Sequence, residues 1–97
     1  MKTKNDYISL LKSCGSELKQ QFGVRSLHLF GSVARNEQKE TSDIDIYVET
    51  TPNPFLIVRM KAYLEKLLGC SVDVIRAHKN MNAFLKQQIE KDGIHVF

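Results

Sequence analysis

Residues 27–48, LHLFGSVARNEQKETSDIDIYV, constrain this chain more than any other stretch. A short apolar run ends at Gly31-Ser32, a polar loop follows, and a second apolar run carries Asp43-Ile44-Asp45-Ile46. Read locally, this is a strand, a tight turn, a helix of about one turn over 32–36, a solvated loop over 37–41 and a second strand. On a strand, residues two apart point to the same face. Ile44, Ile46 and Val48 therefore face a core, and Asp43 and Asp45 stand together on the opposite side. Two carboxylates about 4 Å apart repel by roughly 4 kcal/mol at an effective dielectric of about 20. Such a pair raises one pKa or attracts cations, and magnesium, which takes hard oxygen ligands, suits it. Alone, the same D-x-D also describes solvated residues of an ordinary edge strand.

The preceding pair sharpens the reading. Gly31 lets the backbone turn tightly and approach a ligand closely. Ser32 then opens a helix whose free N–H groups and partial positive charge favour phosphate oxygens, although Gly-Ser also makes plain turns and N-caps. The stretch is not a Walker A loop, because no Gly-Lys-Ser/Thr follows. It is not a dinucleotide fingerprint either, since G-x-G-x-x-G is absent.

Gly31-Ser32, ten intervening residues and Asp43-x-Asp45 together resemble the GS-x10-D-x-D signature of the DNA polymerase β-like nucleotidyltransferases. The fuller string, Phe30-Gly31-Ser32-Val33-Ala34-Arg35 with Ser42-Asp43-Ile44-Asp45-Ile46 after it, is similar to the minimal MNT-type members. The resemblance covers most of the chain and departs at Asn36, where these members usually place glycine. It implies magnesium-dependent transfer of a nucleoside monophosphate, AMP from ATP, to an acceptor hydroxyl. Asp43, Asp45 and Asp73 would be the catalytic residues and would hold two magnesium ions, and Asp73 would accept the hydroxyl's proton. Gly31, Ser32 and Arg35 would bind the triphosphate. The resembled family also implies a partner: a HEPN-type toxin, with a tyrosine that receives AMP and this chain as the antitoxin. Two other readings are a module that only occludes its partner, and transfer to a small molecule or RNA. Enzymes of the last kind usually carry an extra acceptor domain.

Ninety-seven residues form one domain, 1–97, with a modest core. The expected class is α/β (α+β): a small mixed sheet with helices packed on one face and the carboxylates on the other. A net charge of +3 helps attract nucleoside triphosphates or acidic partners without supporting direct nucleic-acid binding. No apolar run approaches the ~20 residues of a membrane span, and the polar N-terminus does not read as a signal peptide, so a cytoplasmic location is expected. Cys14 and Cys70 lack C-x-x-C spacing and have no clustered histidines, so buried free thiols are expected rather than zinc ligands. No segment is left over for a base-specific pocket or a polymer groove, and the acceptor is expected to come from a partner.

The remaining elements follow from periodicity. Tyr7, Leu11, Cys14, Leu18 and Phe22 predict one helix over 6–22, stopped by Gly23, and residues 24–30 supply the first strand. Asn53 and Pro54 open a helix with a stripe of Leu56, Ile57, Met60, Tyr63, Leu64, Leu67 and Leu68, which Gly69 ends. In the strand over 71–75, Val72 and Val74 face the helices. Asp73 falls on the other face, beside the Asp43–Asp45 strand of a βαβ-like passage. Arg35 either reaches a triphosphate, as the resemblance implies, or pairs with an acid such as Glu37. A last helix over 80–92 places Met81, Phe84, Leu85 and Ile89 on one face. Gly93 ends it, and residues 94–97 add an edge strand with His95 outward. His78 and Lys79, near the end of the Asp73 strand, offer a further phosphate contact.

Overall fold

The helix predicted over 6–22 is broken at Cys14 into α1 (Lys4–Ser13) and α2 (Gly15–Phe22). The computed structural model describes residues 3–35, 43–78, 81 and 83–97. At the break, Ser13 Oγ donates to the Leu10 carbonyl at 2.6 Å and Cys14 Sγ to the Leu11 carbonyl at 3.2 Å. Side-chain donors of this kind compete with the helical ladder, and Gly15 is a weak helix former. Tyr7, Leu11, Cys14, Leu18 and Phe22 remain buried on both sides of the break, which is why their spacing gives no sign of it. A capping box starts α1: Thr3 Oγ1 accepts from the Asp6 N–H, and Asp6 Oδ2 accepts from the Thr3 N–H.

Four strands among the described residues form one sheet: β1 (Ser26–Phe30), β2 (Ile44–Glu49), β3 (Val72–Arg76) and β4 (Ile94–His95). Their order is β3-β2-β1-β4, with β2 and β3 parallel and the other pairs antiparallel, so the sheet is mixed as expected. The parallel pair follows from α3 (Pro54–Leu68), which carries the chain back between β2 and β3. Asn53 caps α3 by accepting from the Phe55 and Leu56 N–H groups, Pro54 takes its first position, and Gly69 closes it in the left-handed region. The caps lie where the sequence puts them.

Alternation along β2 is complete: Ile44, Ile46 and Val48 are buried. With Leu27, Leu29 and Val72 they pack against Leu11, Leu18, Met60, Leu64 and Leu68 of α1, α2 and α3. Burying each such side chain contributes about 1.5–3 kcal/mol, so this layer holds the sheet in place. Polar ties reinforce it. Buried Thr50 donates from Oγ1 to the Phe22 carbonyl at 2.8 Å, satisfying an acceptor at the end of α2. Glu65 Oε2 accepts the Val72 N–H at 3.2 Å and fastens the end of α3 to the start of β3. Cys14 is buried and Cys70 only half-buried, contrary to the expectation for the latter.

Helices α1, α2 and α3 form the layer on one face of the sheet; α4 (Ala83–Asp92) lies over the opposite face, beside His28 and Tyr47, so one helix shares the side expected to carry the carboxylates alone. Its predicted apolar face is corrected. Ile89 is buried, but Phe84 is 68% exposed. Residues four apart share a helix face, whereas Phe84 and Leu85 are adjacent and diverge. The expected start of this helix at Asn80, the Lys79 contact, Asn36 and the loop over 37–41 lie outside the described residues. No helix among the described residues is long and apolar enough to cross a membrane.

Candidate active site

The antiparallel pairing of β1 and β2 brings the end of one strand to the start of the other, with Phe30 opposite Asp45. Gly31 comes next, at φ 77°, a conformation that side chains rarely adopt. A Cβ there would collide with Asp45 Oδ2 and come within 3.0 Å of Asp45 Cγ, so only glycine lets the turn lie against this carboxylate. Val33 is fully buried and anchors the turn in the core. The Arg35 N–H donates to the Gly31 carbonyl at 3.2 Å, closing a single helical turn. Residues 31–35 are thus a turn pinned at both ends rather than a longer helix.

Asp73 is paired with Asp45 in the parallel register of β2 and β3. Paired residues on neighbouring strands, about 4.8 Å apart, direct their side chains to the same face. Asp43, two residues before Asp45, belongs to that face as well. Gly31, Ser32, Arg35, Asp43, Asp45 and Asp73 all line one open cleft of about 440 Å³. Burial lifts the Asp45 carboxyl above its ordinary value, the Asp73 and Asp43 charges lift it further, and Arg35 opposes them. Negative charge therefore exceeds positive charge around Asp45. A donor set of oxygens alone with excess negative charge fits a hard divalent cation such as magnesium. Among the described residues, no three Asp, Glu, His or Cys side chains already enclose an ion site. The three aspartates share one cleft without forming a closed cage.

Arg35 Nη1 lies 3.5 Å from Asp92 Oδ2 at the end of α4. Asp92 is thus an acid that faces it among the described residues; Glu37 lies outside them. The cleft also takes Phe30, Ile75, Leu85 and Gln88, none of which the sequence reading placed there. A signal for part of this was present: Leu85, Gln88 and Asp92 are spaced three and four apart, one stripe of a helix. Nothing local says which surface that stripe meets. His78 lines a different cleft with Arg25 and Glu49, and His95 is exposed on β4 as expected.

The protein family described as polymerase beta nucleotidyltransferase matches residues 12–97. A relative from Thermococcus cleftensis, named protein adenylyltransferase MntA, is 40% identical over 93 residues, covering 94% of this chain and 89% of its own. A Methanocaldococcus jannaschii relative, provisionally named a protein adenylyltransferase, is 41% identical over 98 residues and is covered along its whole length. A toxin–antitoxin crystal structure with AMP-PNP shares the fold at a TM-score of 0.73 and 23% identity, covering 89% of this chain and 72% of that one. So does one chain of a complex between a tri-AMPylated Shewanella oneidensis HEPN toxin and an MNT antitoxin, at a TM-score of 0.66 and 21% identity, covering 93% of this chain and 71% of that one.

Proposed function

This chain belongs to the polymerase β nucleotidyltransferase family, and on that premise we propose that it moves AMP from ATP onto a tyrosine hydroxyl of a HEPN-type toxin, acting as its cytoplasmic antitoxin. The observation that carries the reading is the pairing of Asp45 with Asp73 beside the Gly31 turn, which sets a glycine bend against a carboxylate pair. The name of the Thermococcus cleftensis relative supports the reaction class, and the HEPN complexes that share this fold support the class of acceptor.

Asp43, Asp45 and Asp73 would hold the divalent ions. Magnesium, when bound there, neutralises triphosphate charge and lowers the pKa of the attacking hydroxyl. The backbone N–H groups of the Gly31-Ser32 turn and the Arg35 guanidinium grip the phosphates, so that the α-phosphorus faces the acceptor. The hydroxyl oxygen bonds to that phosphorus while the bond to the bridging oxygen breaks and pyrophosphate leaves. The Asp73 carboxylate takes the hydroxyl proton. Positioning and charge neutralisation account for most of the rate in such transfers.

The test is transfer of α-phosphate label from ATP to the co-purified partner, with and without magnesium. Labelling that requires magnesium and disappears in Asp43→Asn supports the reading. Equal labelling by that variant ends it.

A further inference from the structure

We propose that Asp92 is a positioning residue for nucleotide binding. It holds Arg35 at the mouth of the acidic cleft, turned toward an incoming triphosphate and away from the carboxylates. The proposal rests on the nucleotidyl-transfer reading above and names a residue outside the motif on which that reading stands.

The contact joins two elements far apart in sequence: the turn that ends at Arg35 and the last residue of α4. The helix itself gives no reason for an acid at this position. Carbonyl ends leave a partial negative charge at a helix C-terminus, where an aspartate is disfavoured and a cation such as Lys91 belongs. Nor does Asp92 cap the helix, because the Gly93 N–H donates to the Ile89 carbonyl at 2.8 Å and closes the final turn through the backbone. Asp92 continues the stripe of Leu85 and Gln88, which line the cleft, so this face of α4 runs along the candidate site.

Among the described residues, Arg35 stands between the pull of Asp45 and that of Asp92. Its charge is felt at Asp45, where it opposes the upward pull of the neighbouring carboxylates. A guanidinium on a flexible stem, drawn by three aspartates, would settle among them and compete with a divalent cation for the same oxygens. Asp92 offers a counter-charge at the end of α4, outside the set of cleft aspartates. Five N–H donors on a rigid fork let one guanidinium engage a carboxylate oxygen and still meet phosphate oxygens. The Arg35 and Asp92 side chains are 36% and 22% exposed, and ion pairs at such sites add little to stability. Breaking the pair therefore leaves the fold nearly unchanged while altering where the arginine sits, and this separates a positioning role from a structural one.

The experiment is calorimetric titration of a magnesium-loaded, non-hydrolysable ATP analogue into wild type, Asp92→Asn, Asp92→Glu, Arg35→Gln and the Arg35→Gln, Asp92→Asn double variant. Asp92→Asn is expected to weaken binding by about three- to tenfold, the loss that follows from releasing one oriented side chain. Asp92→Glu restores binding to within about twofold, and in the Arg35→Gln background Asp92→Asn changes it by less than about twofold, because the two residues act as one unit. Melting temperatures of the variants stay within about 2 °C of wild type. Binding by Asp92→Asn equal to wild type overturns the proposal and leaves the nucleotidyl-transfer reading intact. An equal loss in both backgrounds, or a loss matched by a fall in melting temperature, also overturns it. A wild-type chain that binds no nucleotide brings down the underlying reading and this proposal together.

Discussion

Gly31 lies so close to Asp45 that the space a β-carbon would fill at position 31 is already taken by the Asp45 carboxylate. The turn and the strand are fitted to each other through the absence of one methyl group. Gly31→Ala must displace Asp45 and also strain a backbone at φ 77°. The strain alone amounts to about 1–3 kcal/mol. Chemical denaturation should show a loss of that size, and AMP transfer should fall by at least about a hundredfold, since a misplacement of about 1 Å is enough for such a loss. Near-normal activity in Gly31→Ala would separate the turn from the chemistry.

Asp45 carries a testable sign. Its carboxyl titrates above the ordinary carboxylate value, chiefly through burial and then through Asp73 and Asp43. A group whose folded pKa is raised stabilises the protein below its unfolded pKa and loses that contribution as pH rises through the folded value. Ionised Asp45 therefore burdens the fold at neutral pH. Asp45→Asn is expected to melt higher than wild type at pH 7 in EDTA, with the gap closing toward pH 4, even as transfer activity is lost. Magnesium should raise the wild-type melting temperature and leave the Asp43→Asn, Asp45→Asn double variant where it was, as binding to the native state alone requires.

His28 bends the stability curve the other way. Burial lowers its pKa first, the nearby His95 lowers it further at a ring-centroid separation of 4.8 Å, and Glu49 opposes them. A depressed folded pKa leaves stability intact above the unfolded value and removes it as pH falls through the folded one. Wild type should lose stability on going from pH 7 to pH 5, and His28→Phe should lose less. Thermal melts across that range decide the matter: parallel curves for the two proteins would show that this histidine is not responsible.

Thr50 tests the join between α2 and the sheet. Its hydroxyl satisfies the Phe22 carbonyl at a buried position, so Thr50→Val keeps the shape and strands the acceptor. The expected loss is about 1–3 kcal/mol, the desolvation cost of an unpaired buried group. Thr50→Ser keeps the hydroxyl and should recover a good part of it. Urea titration of the three proteins gives the comparison directly.

Much of the site was legible before any coordinates. The Gly31-Ser32 turn, the common face of Asp43 and Asp45, and the Asn53–Gly69 bounds of α3 depend on spacing and local conformational preference, which a sequence displays. Even Asp73 could be assigned a side, because Val72 and Val74 fix the face and a strand alternates. The break at Cys14 was not legible, since the same residues stay buried across it. Nor was the outward turn of Phe84.

By itself the sequence determined which residues share a face of their own element, because the periods of strand and helix are built into the backbone. Only tertiary structure decided which faces meet. The parallel register that sets Asp45 beside Asp73 fixed the neighbours of the acidic pair. The path of α4 over the uncovered side of the sheet brought Leu85 and Gln88 to the cleft and Asp92 to Arg35 at its edge. Those choices come from packing between distant segments, where the gain depends on shape and burial that no local pattern encodes.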